Sequence, residues 1–315
     1  MHLKLALDWT PNTLHAGILI AEAQGYYKDD GLDLEIINPA DDNYKVTPAK
    51  KLSQKQVHLA ITPSESVISF NMRKDPTPLL AIAANLQKDT SAIVALKDSG
   101  IARPAQMDGR RFASYDARFE NDIVRQMVKN DGGKGELEIT NPEMLSMWDN
   151  LVEKKADATW VFLPWEGIKA KYEHDNLQYH AFQMGDYGVP YGYSPLIISH
   201  QDFINEENAA LKVFLQATER GWRDVHDDPG KAAQLLHKHV DQPEFKNLDF
   251  VTDSLKMIQP ALFTSDDRWG FMEGQRWVNF IDWMVNHQVL KDEDGVPMNH
   301  GQIDSSMLYT NEYFK

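Results

Sequence analysis

The sequence contains no cysteine among its 315 residues. Disulfide bonds, thiolate metal sites and cysteine nucleophiles are therefore excluded. No apolar run approaches the roughly 20 residues that a membrane-spanning helix requires. A G-x-S-x-G nucleophile elbow, a phosphate-binding P-loop and an H-E-x-x-H zinc helix are also missing. These absences leave nucleophilic hydrolysis and zinc-dependent chemistry without support in the sequence.

The N-terminus lacks the charged region, apolar core and small-residue cleavage site of a secretory signal. If a leader was removed, we expect a periplasmic or extracellular membrane-associated location. If Met1 is the native start, we expect a cytoplasmic protein.

Basic residues are few relative to acidic ones, at 32 against 47, which gives a formal net charge of -15. That charge repels phosphate backbones, so nucleic acid is not an expected partner. With 42% hydrophobic and 25% charged residues, the composition is that of an ordinary globular protein. A chain of this length predicts two compact lobes or one large α/β unit.

Alternating apolar residues predict a strand at 2–7 and another at 32–37, joined by a helix from Leu14 that ends near Gly25. This crossover is long enough for the two strands to be parallel. The same rhythm continues through two α/β regions and gives way to a helical C-terminal region. Further strands are predicted at 57–61, 79–84, 90–96, 110–114, 158–162 and 196–199, and helices at 64–72, through Ile123 and Met127, and at 209–225, 230–239 and 276–286.

We place the first lobe at residues 1–88 and 191–315, and the second, inserted lobe at 89–190. Two crossings between the lobes would form a hinge, with the ligand cleft between them.

The run from Leu7 to Gly17 closely resembles the thiamine-pyrimidine solute-binding family, whose relatives include the fungal hydroxymethylpyrimidine phosphate synthases. The likeness implies a two-lobed periplasmic-binding-protein fold of the second type. It also implies delivery of a formylaminopyrimidine or hydroxymethylpyrimidine type of thiamine precursor to an ABC permease. We expect a monomer and no cofactor. Further matching stretches lie at 89–91, 157–167, 193–195, 268–270 and 309–312, so the resemblance spans nearly the whole chain.

The synthase branch is the alternative, as a divergent cytosolic enzyme of thiamine biosynthesis. Its members carry a lysine that holds pyridoxal phosphate and a histidine consumed as substrate, and these positions read Thr62 and Ser66 here. A threonine has no amine for a Schiff base, and a serine has no imidazole to donate. The glycine-rich phosphate loop of the synthases falls on 115–120, which contains no glycine. A binder of another flat ligand or of a sulfonate stays open as a third interpretation.

An aminopyrimidine is a flat ring with donors and acceptors on its edge, so its receptor needs aromatic faces and a carboxylate or amide in the ring plane. Trp9 follows the first strand and is the predicted stacking residue. Asn12 is either an edge partner or a helix cap. Glu65 follows another strand and either contacts a ring amine or favours the start of its helix.

The second lobe offers Tyr115 and Glu120 in the matching strand-end loop, either as the opposite wall of the site or as surface and helix-start residues. Trp160 belongs to an aromatic block with Phe162 and Trp165, which strand alternation also explains as core. Tyr193, at the second crossing, either caps the cleft with its hydroxyl and binds substrate or packs at the hinge.

A metal site is not expected. His237 and His239 are two residues apart on a predicted helix, and such residues point to different faces.

Overall fold

The computed structural model describes residues 1–314. They form two compact units. Unit 1 comprises Met1–Asp89, Tyr193–Glu273 and the segment from Asp304 onward, and unit 2 comprises Thr90–Gly192 and Gly274–Ile303.

The strands, in chain order, are β1 His2–Ala6, β2 Asp33–Ile37, β3 Leu59–Thr62, β4 Leu79–Ala84, β5 Ser91–Leu96, β6 Arg111–Ala113, β7 Glu138–Thr140, β8 Ala158–Phe162, β9 Tyr179–Phe182 and β10 Leu196–His200. The helices are α1 Ala16–Ala23, α2 Tyr26–Asp29, α3 Pro48–Ser53, α4 Ser64–Asn71, α5 Glu120–Asn130, α6 Met147–Val152, α7 Ile168–Tyr172, α8 Gln201–Glu206, α9 Asn208–Asp227, α10 Pro229–His239, α11 Leu248–Ile258 and α12 Gly274–Asn286.

Unit 1 is built on a mixed sheet in the order β2-β1-β3-β10-β4. Strand β1 runs parallel to β2 and β3, whereas β10 runs antiparallel to β3 and β4. The carboxyl ends of β1, β3 and β4 therefore lie at the same edge as the amino end of β10. We call this the strand-end edge of unit 1.

Unit 2 repeats this arrangement in a sheet of order β7-β6-β8-β5-β9. Strand β6 runs parallel to β7 and β8, and β5 runs antiparallel to β8 and β9. The carboxyl ends of β6 and β8 thus share one edge with the amino end of β5, which we call the strand-end edge of unit 2. In both units the residues that follow the parallel strands are collected at one side of the sheet.

Two glycines allow α1 and α9 to cross closely in unit 1. A Cβ atom on Gly221 would lie 1.9 Å from the carbonyl oxygen of Gly17, and a Cβ atom on Gly17 would lie 2.4 Å from the ring of Trp222. These distances are far below van der Waals contact, so any side chain at either position would push the helices apart. The crossing fixes the first helix after β1 against the longest helix of the unit.

The predicted parallel pair of β1 and β2 is confirmed, and the predicted ends of the strands at 79–84 and 158–162 match β4 and β8. Gly25 adopts a left-handed conformation with φ of 77° just after α1, as a helix-ending glycine should. Strands β7 and β9 and helices α2, α3, α6, α7, α8 and α11 were not predicted. Among residues 1–314, no helix is both long enough and apolar enough to span a bilayer.

The units differ from the predicted lobes in one segment, because 274–303 groups with unit 2 rather than with the first lobe. Aromatic packing explains part of this grouping: Phe280 of α12 lies 5.3 Å from the ring of Tyr191. An ion pair of 2.7 Å between Lys291 and Asp122 adds a polar contact to α5. A pattern of local periodicity carries no information on which sheet a terminal helix packs against.

Candidate functional site

The loop after β1 carries Trp9, which is half-buried at the strand-end edge of unit 1. Its ring lies 6.1 Å from that of Tyr44, at an angle of 56°. The hydroxyl of Tyr44 donates a hydrogen bond to the backbone carbonyl of Asp8. Tyr44 therefore contacts both the Trp9 ring and the backbone of this loop.

A carboxylate and a histidine form a pair under the same loop. His15 is 0% exposed, and its Nε2 lies 2.7 Å from Oδ1 of Asp8. The backbone N–H of Asn12 donates to Nδ1 of His15 at 3.3 Å. Because Nδ1 accepts, the proton of a neutral imidazole is on Nε2 and is donated to Asp8.

Asn12 serves as a cap in this structure. Its Oδ1 accepts from the backbone N–H of Leu14 at 2.8 Å, and its Nδ2 donates to the carbonyl of Thr10 at 3.1 Å. Both polar atoms of the buried amide thus bind the turn that precedes α1. The capping alternative describes these contacts, and the prediction that Asn12 also contacts ligand stays a prediction.

A buried amide after β4 ties three parts of unit 1 together. Asn85 is 0% exposed, donates to the carbonyl of Leu14 at 2.6 Å, and accepts at Oδ1 from the indole N–H of Trp222 at 3.0 Å. The indole N–H of Trp269 donates to the backbone carbonyl of Asn85 at 3.3 Å. Asn85 therefore positions the end of the β1 loop from the neighbouring strand end.

Glu65 and Tyr193 lie at the same edge of unit 1. Glu65 is half-buried in the first turn of α4, where the hydroxyl of Ser64 donates to its Oε2 at 3.2 Å. The backbone N–H of Ser64 donates to the carbonyl of Tyr193 at 2.9 Å. Tyr193 is 1% exposed, and its hydroxyl accepts from the backbone N–H of Glu273 at 2.8 Å. These contacts fit the packing interpretation of Tyr193.

Aromatic side chains meet at the strand-end edge of unit 2. The hydroxyl of Tyr115 donates to the backbone carbonyl of Trp160 at 3.0 Å. The ring of Trp160, in β8, lies 5.3 Å from that of Tyr191, which in turn packs against Phe280. Tyr115 and Trp160, predicted separately, are therefore brought together.

Glu120 is the first residue of α5 and is 4% exposed. Its carboxyl group accepts three hydrogen bonds, from the Ser114 hydroxyl at 3.0 Å and from the backbone N–H groups of Tyr115 and Ala117 at 3.2 and 3.3 Å. Burial raises the pKa of Glu120 to about 7, although the three hydrogen bonds act in the opposite direction. The carboxyl group is thus an internal partner of its own loop.

A second buried carboxyl group follows β8. Glu166 lies in a π-helical turn, Leu163–Gly167, and its Oε2 accepts from the backbone N–H of Phe162 at 3.0 Å. Such turns are rare and often accompany functional sites.

The structure thus places the predicted residues at two edges. Trp9, Asn12, Glu65 and Tyr193 lie at that of unit 1, and Tyr115, Glu120 and Trp160 at that of unit 2. The structure adds five residues that were not predicted from the sequence as part of the candidate site: Asp8, His15, Asn85, Tyr191 and Glu166. The pairing of Asp8 with His15 had one indication in the sequence: the acidic residue precedes the histidine by seven positions, across a predicted turn. Within residues 1–314, no group of three or more histidine and acidic side chains is arranged to hold a metal ion.

Two α/β units on mixed sheets of matching strand pattern define a class, that of the periplasmic-binding-protein-like proteins. The periplasmic nitrate-binding protein NrtA from Synechocystis PCC 6803 has this fold, with a TM-score of 0.69 at 13% identity over 99% of this chain and 86% of that chain. The predicted fold class is confirmed.

Within that class, the chain belongs to the family described as NMT1/THI5 like, whose profile matches residues 12–232. The formylaminopyrimidine-binding protein of Halalkalibacterium halodurans is 23% identical over 291 residues, which cover 92% of this chain and 86% of the relative. The 4-amino-5-hydroxymethyl-2-methylpyrimidine phosphate synthase THI11 of Saccharomyces cerevisiae is 22% identical over 244 residues, covering 73% of this chain and 68% of the relative. The resemblance stated from the sequence is confirmed.

Proposed function

We propose that this protein is the solute-binding component of an ABC importer and binds a thiamine-type pyrimidine without altering it. The proposal is supported by the side chains that lie at the two strand-end edges. The edge of unit 1 bears the ring of Trp9 and the carboxylate of Glu65, and that of unit 2 bears the rings of Tyr115 and Trp160. Aromatic faces and a carboxylate are what a flat ring with an exocyclic amine requires.

In this proposal Trp9, Tyr115 and Trp160 stack on the pyrimidine, and Glu65 accepts a hydrogen bond from its amine. The polar atoms of Asn12, Glu120 and Tyr193 form hydrogen bonds within unit 1 or unit 2. The prediction that these three contact ligand directly, and that one ligand contacts both units, stays a prediction.

Similarity to a formylaminopyrimidine-binding protein over most of both chains supports the ligand class. A solute-binding role implies a permease partner and a periplasmic or extracellular membrane-associated location. Two residues argue against the chemistry of a synthase. Thr62, at the end of β3, stands where the synthases carry a lysine, and Ser66, in the first turn of α4, stands where they carry a histidine. Neither side chain provides an amine for pyridoxal phosphate or an imidazole to be consumed.

Calorimetric titration with a formylaminopyrimidine and with 4-amino-5-hydroxymethyl-2-methylpyrimidine tests the proposal. We expect saturable binding to the wild type, unchanged ligand after incubation, and an affinity about tenfold lower for Trp9→Ala, since the loss joins stacking and buried area. Tyr172→Ala, at the C-terminal end of α7, is the matched control and should bind as the wild type does. Incubation with pyridoxal phosphate should give no Schiff-base absorbance band. Such a band, or the absence of pyrimidine binding, would overturn the proposal.

A further inference from the structure

The segment between β2 and α3 holds a tyrosine in an unusual backbone conformation. Asn43 and Tyr44 are both left-handed, with φ of 53° and 58°. Asparagine tolerates this region, whereas a bulky aromatic residue rarely adopts it and is strained there. Such strain persists only where the surrounding structure enforces it, and it concentrates at functional sites. Because β2 runs parallel to β1, this segment follows a strand that ends at the strand-end edge of unit 1.

The side chain of Tyr44 contacts the candidate site at two points. Its ring lies 6.1 Å from that of Trp9, and its hydroxyl donates to the backbone carbonyl of Asp8. Asp8 and Trp9 are neighbours in the loop after β1. One side chain therefore fixes the backbone of the proposed stacking residue and also borders its ring.

An ion pair that is largely shielded from solvent fixes the same turn from α3. Nζ of Lys51 lies 2.9 Å from Oδ2 of Asp42, and Lys51 is 9% exposed. A lysine is rarely so buried unless it is paired. Lys51 holds the pKa of Asp42 below its usual range, and the backbone N–H groups of Tyr44 and Lys45 act in the same direction. The carboxylate of Asp42 thus links α3 to the backbone of the turn that carries Tyr44.

We propose that Tyr44 is a positioning residue for Trp9, and that the ion pair of Lys51 with Asp42 acts on ligand binding through Tyr44. The ion pair holds the left-handed turn, the turn places the tyrosine, and the tyrosine fixes the stacking ring. The choice of a pyrimidine as ligand rests on the proposed function, whereas the contacts from Lys51 to Trp9 do not.

Three variants of Tyr44 separate positioning from stability. Tyr44→Phe keeps the ring and loses the hydrogen bond to Asp8, and Tyr44→Ala removes the ring but keeps a Cβ atom. Tyr44→Gly removes the ring and also relieves the left-handed conformation. In calorimetric titration with 4-amino-5-hydroxymethyl-2-methylpyrimidine, we expect affinity to fall about threefold for the phenylalanine variant and about tenfold for the other two. The glycine variant should have the higher urea midpoint of those two without binding more tightly.

Lys51→Met tests the remote part of the inference. We expect it to lower affinity about fivefold in the wild-type background and to have no further effect on affinity in Tyr44→Ala, while it lowers the urea midpoint in both. Lys51→Arg, which retains the charge, should bind more tightly than Lys51→Met. Lys55→Met is the matched control, because it removes an exposed ion pair of 2.7 Å with Asp202 in the same unit, and its affinity should be that of the wild type. Circular dichroism establishes that each variant is folded.

A loss of affinity for Lys51→Met that is equally large in Tyr44→Ala would overturn the inference, because the ion pair would then act independently of the tyrosine. Wild-type affinity in both Tyr44→Ala and Tyr44→Gly would overturn it as well. Tyr44→Phe and Lys51→Arg, the mildest changes, decide the matter if the others do not fold: wild-type affinity in the first, or a loss in the second that the first does not abolish when combined with it, contradicts the inference.

If the wild type binds no pyrimidine, the proposed function fails, and the position of Trp9 is still measurable without ligand. Labelling with 5-fluorotryptophan places fluorine on the eight indole rings, and Trp9→Phe assigns the Trp9 resonance. Tyr44→Ala and Lys51→Met should both shift this resonance, and Lys55→Met should leave it in place. An unmoved Trp9 resonance in the first two variants refutes the inference whatever the ligand is.

Discussion

His15 and Asp8 form a hydrogen bond of 2.7 Å across the turn that follows β1, with the imidazole 0% exposed. The backbone N–H of Asn12 donates a hydrogen bond to the other ring nitrogen of His15, Nδ1. The imidazole therefore connects Asp8, near the start of the loop that carries Trp9, to Asn12 at its end. A ring that is proposed to stack on ligand requires a fixed loop, and this pair of side chains fixes the loop.

His15→Ala should destabilise the protein by about 2–4 kcal/mol, because it removes a buried side chain and a hydrogen bond to a charged group. It should also weaken pyrimidine binding, since Trp9 loses its support. Urea denaturation and calorimetric titration measure the two effects.

Asp8→Asn is the matched comparison, because the amide oxygen still accepts from Nε2 of His15. We expect it to cost less than about 1.5 kcal/mol. If His15→Ala binds ligand as tightly as the wild type, the pair does not position Trp9 and serves stability alone.

Asn85→Leu should cost about 2–5 kcal/mol in the free energy of unfolding. The apolar side chain leaves the carbonyl of Leu14 and the indole N–H of Trp222 buried without their partner. Combining it with Trp222→Phe, which removes the indole N–H, should cost less than the sum of the two single changes. Strict additivity would show that the hydrogen bond between the two side chains contributes nothing. Asn205→Ala, at an exposed asparagine, should change stability by less than about 0.5 kcal/mol.

Gly221→Ala should destabilise the protein by about 2 kcal/mol or more, although alanine is ordinarily the better helix former. Its Cβ would lie 1.9 Å from a backbone oxygen of α1, and only separation of the two helices relieves that contact. Gly185→Ala is the control, because its Cβ meets nothing within 4 Å. Chemical denaturation of both variants tests the difference, and equal stabilities would mean that α1 and α9 adjust without cost.

Much of the fold is contained in local periodicity. The run from Leu79 to Ala84 is continuously apolar and its ends match β4, because a strand buried on both faces leaves no position for a polar residue. Strand β7 is three residues long and half-exposed, so it carries no such signal. The antiparallel direction of β10 depends on the chain crossing back from unit 2, which no local pattern records.

The sequence allowed us to predict which strand-end loops carry the candidate site residues, but not the contacts that these residues form. Trp9 and Tyr115 follow β1 and β6, and the ends of parallel strands are where such folds place their ligand-binding loops. Hydrogen-bond partners were not predictable: Asn85 is 71 residues from Leu14 in the sequence and 137 from Trp222. The partners of Glu120 in its own loop were not predictable for the same reason.

The pH dependence of stability should reveal the buried carboxyl group of Glu120. Burial raises its pKa from the ordinary 4.5 to about 7 in the folded protein. Below pH 4.5 the group is protonated in both states and contributes no difference. Between about pH 4.5 and 7 the unfolded chain releases the proton while the folded protein retains it, so rising pH favours unfolding.

The free energy of unfolding of the wild type, relative to Glu120→Gln, should therefore fall by on the order of 3 kcal/mol across this window and level off above it. Urea denaturation at pH 4.5, 6, 7 and 8 measures the difference, and Glu136→Gln, at an exposed position, should show no comparable slope. A difference that grows in favour of the wild type with pH would mean that the hydrogen bonds from Ser114, Tyr115 and Ala117 outweigh burial and lower the pKa.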